Sequence, residues 1–231
     1  FDFAIIEKGS DYFDLAINAF HRDVVESYLE VVNSAGAFAV LAESELESVA
    51  RAVIPKNFTK FALIVDWGKT RASFSVFEKG ALSFASTNQL GGERLESAIA
   101  KVLGVEKKEA LKIKFDAEIS NYKTSPKILN ALLSVVSELA VEIRKILDYW
   151  QDRGMEKNNL EQIFLCGGDS NLFGLSGYLE KELEISVKLA NPWENVVFPQ
   201  KYLPSIKFKD SLRFSSAIGL SLKAMKKEKI L

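Results

Sequence analysis

The alternation of apolar and polar residues at the start of the chain predicts a β-hairpin. Residues 1–7 and 12–19 are rich in aromatic and β-branched side chains, and a Lys-Gly-Ser-Asp segment with turn chemistry separates them. Apolar residues then recur at spacings of three and four over residues 21–35, which predicts an amphipathic helix that stops at Gly36. The chain therefore opens with a ββα arrangement.

A second passage from strand to helix follows this opening. An apolar run near residues 38–41 predicts a third strand, and helical spacing returns over residues 43–54 before Pro55 interrupts it. Together these elements predict a small extra subdomain of ββαβα type over residues 1–58. The remaining residues, 59–231, then form a second and larger domain.

Three short strands in succession predict a meander in the larger domain. Residues 61–65, 72–77 and 81–87 are strand-like, and turn residues separate them. A Gly-Gly pair then precedes a predicted helix over residues 93–103. The larger domain is therefore expected to begin with an antiparallel sheet and to continue into helices.

Helices dominate the rest of the larger domain. A long helix is predicted over residues 126–153, because Ser125 can cap its first turn and proline is tolerated at the first helical position. The apolar residues 163–166 predict a buried strand. The other predicted elements are a surface helix or loop in the lysine-rich stretch that reaches Tyr122, a helix at 175–183, a strand at 185–189 and a last helix near 214–224. This order predicts an α/β fold.

Composition and charge narrow the classes of function. The 231 residues carry a formal net charge of −1, which disfavours wholesale binding to nucleic acid. No apolar run approaches the roughly 18 residues of a membrane span, so we expect contact with a membrane only through partners. The single cysteine, Cys166, lies in an apolar run and allows no disulfide within the chain, which suits a cytoplasmic protein.

Three glycine-bearing turns are the candidate ligand loops. They are the DWGKT segment at residues 66–70, the pair Gly91 and Gly92, and the pair Gly167 and Gly168. Glycine lets backbone N–H groups approach a phosphate, and the start of a helix adds a favourable dipole. A carboxylate at a strand end can hold Mg²⁺ through water, and a neighbouring lysine or threonine can contact phosphate oxygens. Tight turn geometry is the favoured explanation of each turn when it is taken alone.

The order of these motifs resembles the second half of an actin-like ATPase. A strand ending in DWG, two further strands, a Gly-Gly helix start, a long helix containing EIRKILDYW and a strand ending in GGDSNL follow one another. The similarity is to the PilM branch, the actin-like proteins of type IV pilus assembly, with the cell-division protein FtsA as a more distant relative. The small subdomain at residues 1–58 resembles the extra subdomain of the same proteins, so the resemblance covers nearly the whole chain. The resemblance also implies that residues 90–160 are the helical subdomain of the larger domain.

The resemblance implies an ATP site with Mg²⁺ as the accompanying ion. In that family a turn like Gly167-Gly168 receives the adenosine, a turn like the one at Asp66 receives phosphate, and a helix like EIRKILDYW lies beside the base and ribose. Asp66 is the implied Mg²⁺ residue, through water. The implied nucleotide-binding residues are Asp66, Gly68, Lys69, Thr70, Gly91, Gly92, Glu142, Lys145, Gly167, Gly168 and Asn171.

Two departures from the family pattern bear on catalysis. The family's first phosphate loop precedes the small subdomain, and the chain starts at Phe1, within what resembles that subdomain. The turn at Asp66 also lacks the usual run of glycine and threonine, since Trp67 is bulky, Lys69 stands where a small residue is typical and Arg71 follows. No residue has sequence support as the general base that hydrolysis needs, and the lone His21 is explained by capping or exposure at a helix start. The sequence therefore favours recruitment over efficient ATP hydrolysis.

The resemblance also implies a partner. PilM proteins hold the short cytoplasmic N-terminal peptide of the membrane protein PilN in a groove bordered by the small subdomain, so residues 1–58 are expected to provide one wall. This implies a scaffold at the cytoplasmic face of the inner membrane that can also form homo-oligomers. Two alternatives stay open: an FtsA-like filament protein of cell division, and a nucleotide-free interaction module that keeps the actin-like shape.

Overall fold

The computed structural model describes residues 2–119, 124–152, 160–199, 202 and 205–227 of the chain. The strands are β1 (Asp2–Lys8), β2 (Phe13–Asn18), β3 (Phe61–Trp67), β4 (Ala72–Glu78), β5 (Ala81–Asn88), β6 (Leu160–Cys166) and β7 (Val187–Leu189). The helices are α1 (Arg22–Ser34), α2 (Glu45–Val53), α3 (Glu93–Leu103), α4 (Lys107–Asp116), α5 (Pro126–Gln151), α6 (Leu175–Leu183), α7 (Phe208–Ser211) and α8 (Ser215–Lys227), with 3₁₀ turns at Gly168–Asn171 and Leu212–Phe214.

A five-stranded mixed sheet in the order β5-β4-β3-β6-β7 is the framework of the fold. Strands β3, β4 and β5 form the predicted antiparallel meander, while β6 and β7 extend the sheet in parallel with β3. Parallel strands need a crossover connection, which α3, α4 and α5 provide before β6 and α6 provides before β7. Strand β3 is therefore central, with hydrogen-bonded neighbours on both sides.

Strand β3 buries both of its faces, because successive side chains of a strand point in opposite directions. Leu63, Val65 and Trp67 enter a large core that includes side chains of α3, α5 and α6. Ala62 and Ile64 enter a second core on the other face of the sheet, together with side chains of α2. Burial on both faces explains why this strand is an almost uninterrupted apolar run in the sequence.

Helices α2 and α8 cross closely at Gly219. A Cβ at Gly219 would overlap the backbone carbonyl of Ser48 on α2. At the same crossing the Arg51 guanidinium donates to the Gly219 carbonyl over 3.1 Å, and the buried carboxylate of Glu43 pairs with both Arg51 and Lys223. Close backbone contact and paired charges together hold α8 against α2.

The predicted hairpin and first helix are confirmed, whereas the strand predicted near residues 38–41 does not form. β1 pairs with β2 in antiparallel register, and α1 follows. Residues 37–44 have no regular secondary structure, and the Phe38 side chain is 86% exposed. Local strand propensity needs a neighbouring strand to supply ladder hydrogen bonds, and none of the strands that the structure describes pairs with this segment. Helix α2, which falls inside the predicted 1–58 unit, packs in the second core, and the boundary at residue 58 stays a prediction.

The long predicted helix is confirmed as α5, and the Ser125 hydroxyl accepts a hydrogen bond from the Ile128 backbone N–H over 3.4 Å. Its predicted end at Arg153 lies outside the described residues, as does Tyr122. The lysine-rich stretch before Tyr122 contains α4, with Lys114 buried in it. Within the described part of the chain, no helix combines the length and apolarity needed to cross a membrane.

We expect Gly219→Ala to lower the free energy of unfolding by about 2 kcal/mol or more, because α2 and α8 must separate to admit the methyl group. Gly177 on α6 is the matched control, since nothing lies within 4 Å of a Cβ built there. Gly177→Ala should be neutral or stabilising by up to about 1 kcal/mol through helix propensity. Chemical denaturation of both variants measures the difference, and equal stabilities would contradict the close crossing.

Candidate functional site

A cleft opens where β3 and β6 end side by side. Asp66 pairs with Cys166 in the parallel ladder, so the turns that follow the two strands leave the sheet at the same edge. Ligands of α/β sheets bind outside the carboxyl ends of parallel strands. The volume of this cleft, about 500 Å³, suits a small-molecule ligand. The topology thus places a concave site where the sequence predicted its ligand loops.

The first two predicted glycine turns are bonded to each other beside this cleft. The Gly92 backbone N–H donates to the Gly68 carbonyl over 3.0 Å, and the Glu93 N–H donates to the Lys69 carbonyl over 2.9 Å. A Cβ at Gly91 would overlap the Lys69 backbone. The start of α3 is therefore held directly against the turn that follows β3.

The third turn packs against the first. Gly167 has a φ of 85°, in the left-handed region that favours glycine, and a Cβ there would overlap the Asp66 carboxylate and the Trp67 carbonyl. The Trp67 side chain is fully buried, and its indole N–H donates to the Leu90 carbonyl over 2.7 Å. The bulk of Trp67 therefore enters the core and leaves the cleft free.

Six of the eleven predicted residues line the cleft. They are Asp66, Gly68, Lys69, Thr70, Gly167 and Gly168. Gly91 and Gly92 are buried behind it and support the turns described above. The Asn171 amide donates to the carbonyls of Gly168 (3.2 Å) and Lys209 (2.7 Å), so it ties the third turn to α7.

Glu142 and Lys145 are not brought to the cleft, and the expectation that α5 lies beside a bound base stays a prediction. The Lys145 ammonium pairs with the Glu142 carboxylate over 2.6 Å on the outer side of α5, and the two residues line separate, smaller hollows. The apolar side of α5 packs into the large core, so its charged side faces away from β3. Helix α4 takes the place beside the cleft instead.

The sequence interpretation missed several residues that the fold adds to the cleft. They are Glu45, Arg71, Ser73, Glu96, Leu111, Lys114, Phe115, Asp169, Leu212, Arg213, Ser215 and Ser216. Asp169 directly follows Gly168, so its position in the third turn was a usable signal. The wall from α4 carried no such signal, because a lysine-rich helix with weak periodicity is typical of a solvent-exposed surface.

Asp66 lines the cleft, and its surroundings disfavour its ionised form. Burial raises its pKa to about 6, the Glu45 carboxylate adds to the rise, and the Arg71 guanidinium opposes it. Arg71 is itself engaged with Glu45, over 2.9 Å. A carboxylate in this position gains from a nearby hard cation.

The donor set fits a weakly held Mg²⁺ better than a closed metal site. Asp66 and Glu45 are carboxylates on one side of the cleft, and oxygen is the ligand type that Mg²⁺ prefers. No group of three or more histidine, cysteine, aspartate or glutamate side chains among the described residues is arranged to hold a metal ion. Mg²⁺ usually keeps several waters and binds through one or two carboxylates plus phosphate, which agrees with this sparse set.

A buried ion triad, formed by Lys114, Glu96 and Asp169, closes the floor of the cleft. The Lys114 ammonium lies 2.7 Å from a Glu96 oxygen and 2.6 Å from an Asp169 oxygen. The Asp169 carboxylate also occupies the place that a Cβ at Gly92 would take. Burial raises the pKa of Asp169, and its hydrogen bond from Lys114 works in the opposite direction. The triad joins α3, α4 and the 3₁₀ turn behind the cleft.

Charges of both signs are balanced along the cleft. The lining carries the acidic residues Glu45, Asp66, Glu96 and Asp169 and the basic residues Lys69, Arg71, Lys114 and Arg213. Lys69, Arg71 and Arg213 are exposed, whereas Lys114 is buried. The described lining therefore offers no net positive field to a polyphosphate.

A second candidate surface is the apolar face of the hairpin. Phe3 opposes Ile17 and Ile5 opposes Leu15, so these four side chains share one face, and they are 41–65% exposed. Among the side chains that the structure describes, neither core includes a residue of β1, β2 or α1. Contiguous exposed apolar patches of this kind mark interaction sites.

Comparisons with known proteins bear on both surfaces. The family model described as "Type IV pilus assembly protein PilM" matches residues 1–225. None of the curated protein sequences compared with this chain is significantly similar to it.

Solved structures show the same fold. One is a PilM–PilN type IV pilus biogenesis complex (23% identity, 96% of this chain and 66% of that chain, TM-score 0.75). Others are the ethanolamine utilization protein EutJ from Carboxydothermus hydrogenoformans (19%, 88% and 62%, TM-score 0.63) and MreB5 of Spiroplasma citri bound to ADP (15%, 90% and 68%, TM-score 0.69). The chain spans slightly less than two thirds of the first two structures. The predicted actin-like α/β fold is confirmed.

The raised pKa of Asp66 predicts how stability depends on pH. Its folded pKa of about 6 exceeds the ordinary value of 3.8, so the contribution of Asp66 to stability is full below pH 4 and is lost as pH rises through 6. The side chain that replaces the carboxyl in Asp66→Asn cannot ionise. We therefore expect the free energy of unfolding of this variant to match that of the parent near pH 4 and to exceed it by up to about 3 kcal/mol at pH 8. Denaturation in metal-free buffer across this range measures the gap.

Asp116→Asn is the control, because Asp116 is an exposed aspartate at the end of α4. Its stability relative to the parent should change little between pH 4 and pH 8. If the difference in free energy of unfolding between Asp66→Asn and the parent stays constant with pH, ionisation of Asp66 does not destabilise the fold, and the prediction is wrong.

Proposed function

Because the chain belongs to the PilM family of type IV pilus assembly proteins, we propose that it is a scaffold for the assembly of a type IV pilus or a related secretion machine. In this proposal it holds the cytoplasmic peptide of a PilN-like membrane protein and reaches the inner membrane through that partner. The observation that carries the proposal is the exposed apolar face of Phe3, Ile5, Leu15 and Ile17 on the hairpin.

The hairpin has the properties of a peptide-binding wall. An isolated two-stranded hairpin is marginally stable in water, so covering its apolar face stabilises both the hairpin and the complex. β1 and β2 form a two-stranded sheet, so each has an edge where a peptide can add backbone hydrogen bonds. The solved PilM–PilN complex, which shares the fold, supports a PilN-like partner as the occupant.

We expect Ile17→Thr to weaken binding of the PilN-like N-terminal cytoplasmic peptide by about tenfold, because it removes an exposed apolar anchor while keeping a β-branched residue in the strand. Val197→Thr is the matched control, since Val197 is 81% exposed in the loop after β7. Calorimetric titration with the synthetic peptide gives both affinities. Equal weakening by the two variants, or none by Ile17→Thr, would exclude the hairpin face as the binding wall.

We further propose that the cleft binds a nucleotide with Mg²⁺. Asp66 and Glu45 would hold the ion, Lys69 and Thr70 would contact phosphate, and the Gly167-Gly168 turn would face the nucleoside. The ADP-bound MreB5 structure of the same fold supports this assignment, as do the six predicted residues in the cleft lining. Bound Mg²⁺ would supply the positive charge that the balanced lining lacks. The competing function is a nucleotide-free module of the same shape.

Thermal denaturation with 2 mM ATP distinguishes these two functions. We expect a rise in Tm of about 2–4 °C with Mg²⁺ and a smaller rise without it, as mass action predicts for an affinity in the upper micromolar range. Lys69→Met should reduce the rise, because Lys69 is an exposed cation of the cleft. Lys145→Met, on the outer side of α5, should leave it unchanged. No rise for the parent chain at this concentration would favour the nucleotide-free module.

A further inference from the structure

We propose that Asp169 and Glu96 close the floor of the cleft to anionic ligands by holding Lys114, its buried cation, in two ion pairs. The proposal rests on the proposed nucleotide site and concerns the regulation of that site. It predicts that the cleft has a latent affinity for phosphate that the two carboxylates suppress. Release of Lys114 from either carboxylate would expose that affinity.

The geometry leaves Lys114 little capacity for a further ligand. Its side chain is 6% exposed, and those of Glu96 and Asp169 are 8% and 11% exposed. The ammonium has three hydrogen-bond donors, and distances of 2.7 Å and 2.6 Å commit two of them to carboxylates. Such charge-assisted bonds are about twice as strong as neutral ones, so a phosphate oxygen would have to displace a strong acceptor.

The charges of the triad oppose an anion directly. Two carboxylates and one ammonium leave one net negative charge at the floor of the cleft, and burial weakens its screening by water. The positive charge of Lys69 is close enough to Asp169 to lower the pKa of that carboxyl. A phosphate held by Lys69 would therefore be close enough to Asp169 to be repelled by it. An anionic group held at Lys69 and Thr70 is therefore opposed by the negative charge of the triad, and Lys114 is not free to offset that repulsion.

Inorganic tripolyphosphate is a suitable probe, because it tests anion binding without a base or sugar. We expect Asp169→Asn to bind it about tenfold more tightly than the parent. A change of this size is expected when one repulsive charge is removed at close range in a partly screened site. Lys114→Met should bind it more weakly than the parent. The double variant Asp169→Asn with Lys114→Met should lose the gain, because the gain depends on a released Lys114.

Lys108→Met is the matched control, since Lys108 is an exposed lysine on the same helix, and it should bind as the parent does. Calorimetric titration measures the affinities, and circular dichroism establishes that each variant is folded. Equal affinity of folded Asp169→Asn and the parent would overturn the proposal. If Asp169→Asn fails to fold, Glu96→Gln makes the same change in charge at the other carboxylate, and its affinity decides.

Titration of the same variants with ATP and Mg²⁺ separates this proposal from the proposed function. A gain for tripolyphosphate in Asp169→Asn without ATP binding by any variant would support the blocked cation and refute the nucleotide site. ATP binding that is equal in the parent and Asp169→Asn, with no gain for tripolyphosphate, would support the site and refute the block.

Discussion

The parallel pairing of β3 with β6 is the constraint on which the rest of the structure depends. It places Asp66 beside Cys166, and so brings the turn after β3 to the turn after β6. Gly167 can then pack on the backbone of Trp67 only because the two strands end in register. Each face of β3 also contributes to one of the two cores, so the pairing that creates the cleft is also the centre of the hydrophobic structure.

Elements with strong local signals could be predicted from the sequence. The apolar run of β3, the turn residues of the meander and the Ser125 cap of α5 each encode their structure within a few residues. Residues 38–41 show the opposite case, because strand propensity alone does not form a strand and none of the described strands pairs with them. Lys114 could not be predicted as buried, since its burial depends on acids 18 and 55 residues away in sequence.

The glycines at the cleft show why its ligand-binding positions could be predicted only in part from the sequence. Gly91, Gly92 and Gly167 each lie against backbone or side-chain atoms that leave no room for a Cβ, so packing alone accounts for them. Gly168 differs, because it lines the cleft and nothing lies within 4 Å of a Cβ built there. A small residue at that position is not required by packing, which makes Gly168 the glycine that best supports a ligand. The Gly167-Gly168 pair contains one glycine that packing requires and one that it does not, and the sequence alone does not distinguish them.

The first turn of α2 joins the two surfaces to which function is assigned. Glu45, at the start of that helix, pairs with Arg71 in the cleft, while Glu47 accepts a hydrogen bond from the Asn18 amide of β2 over 2.8 Å. The Ser44 hydroxyl accepts a hydrogen bond from the Glu47 N–H and caps the helix, so Glu45 and Glu47 lie on one capped turn. In the proposed function, a cation held by Asp66 and Glu45 would therefore lie against the same turn that holds the end of the hairpin. This shared turn connects the cleft to the hairpin through hydrogen bonds and an ion pair, and would transmit to the hairpin any change that a ligand makes at Glu45.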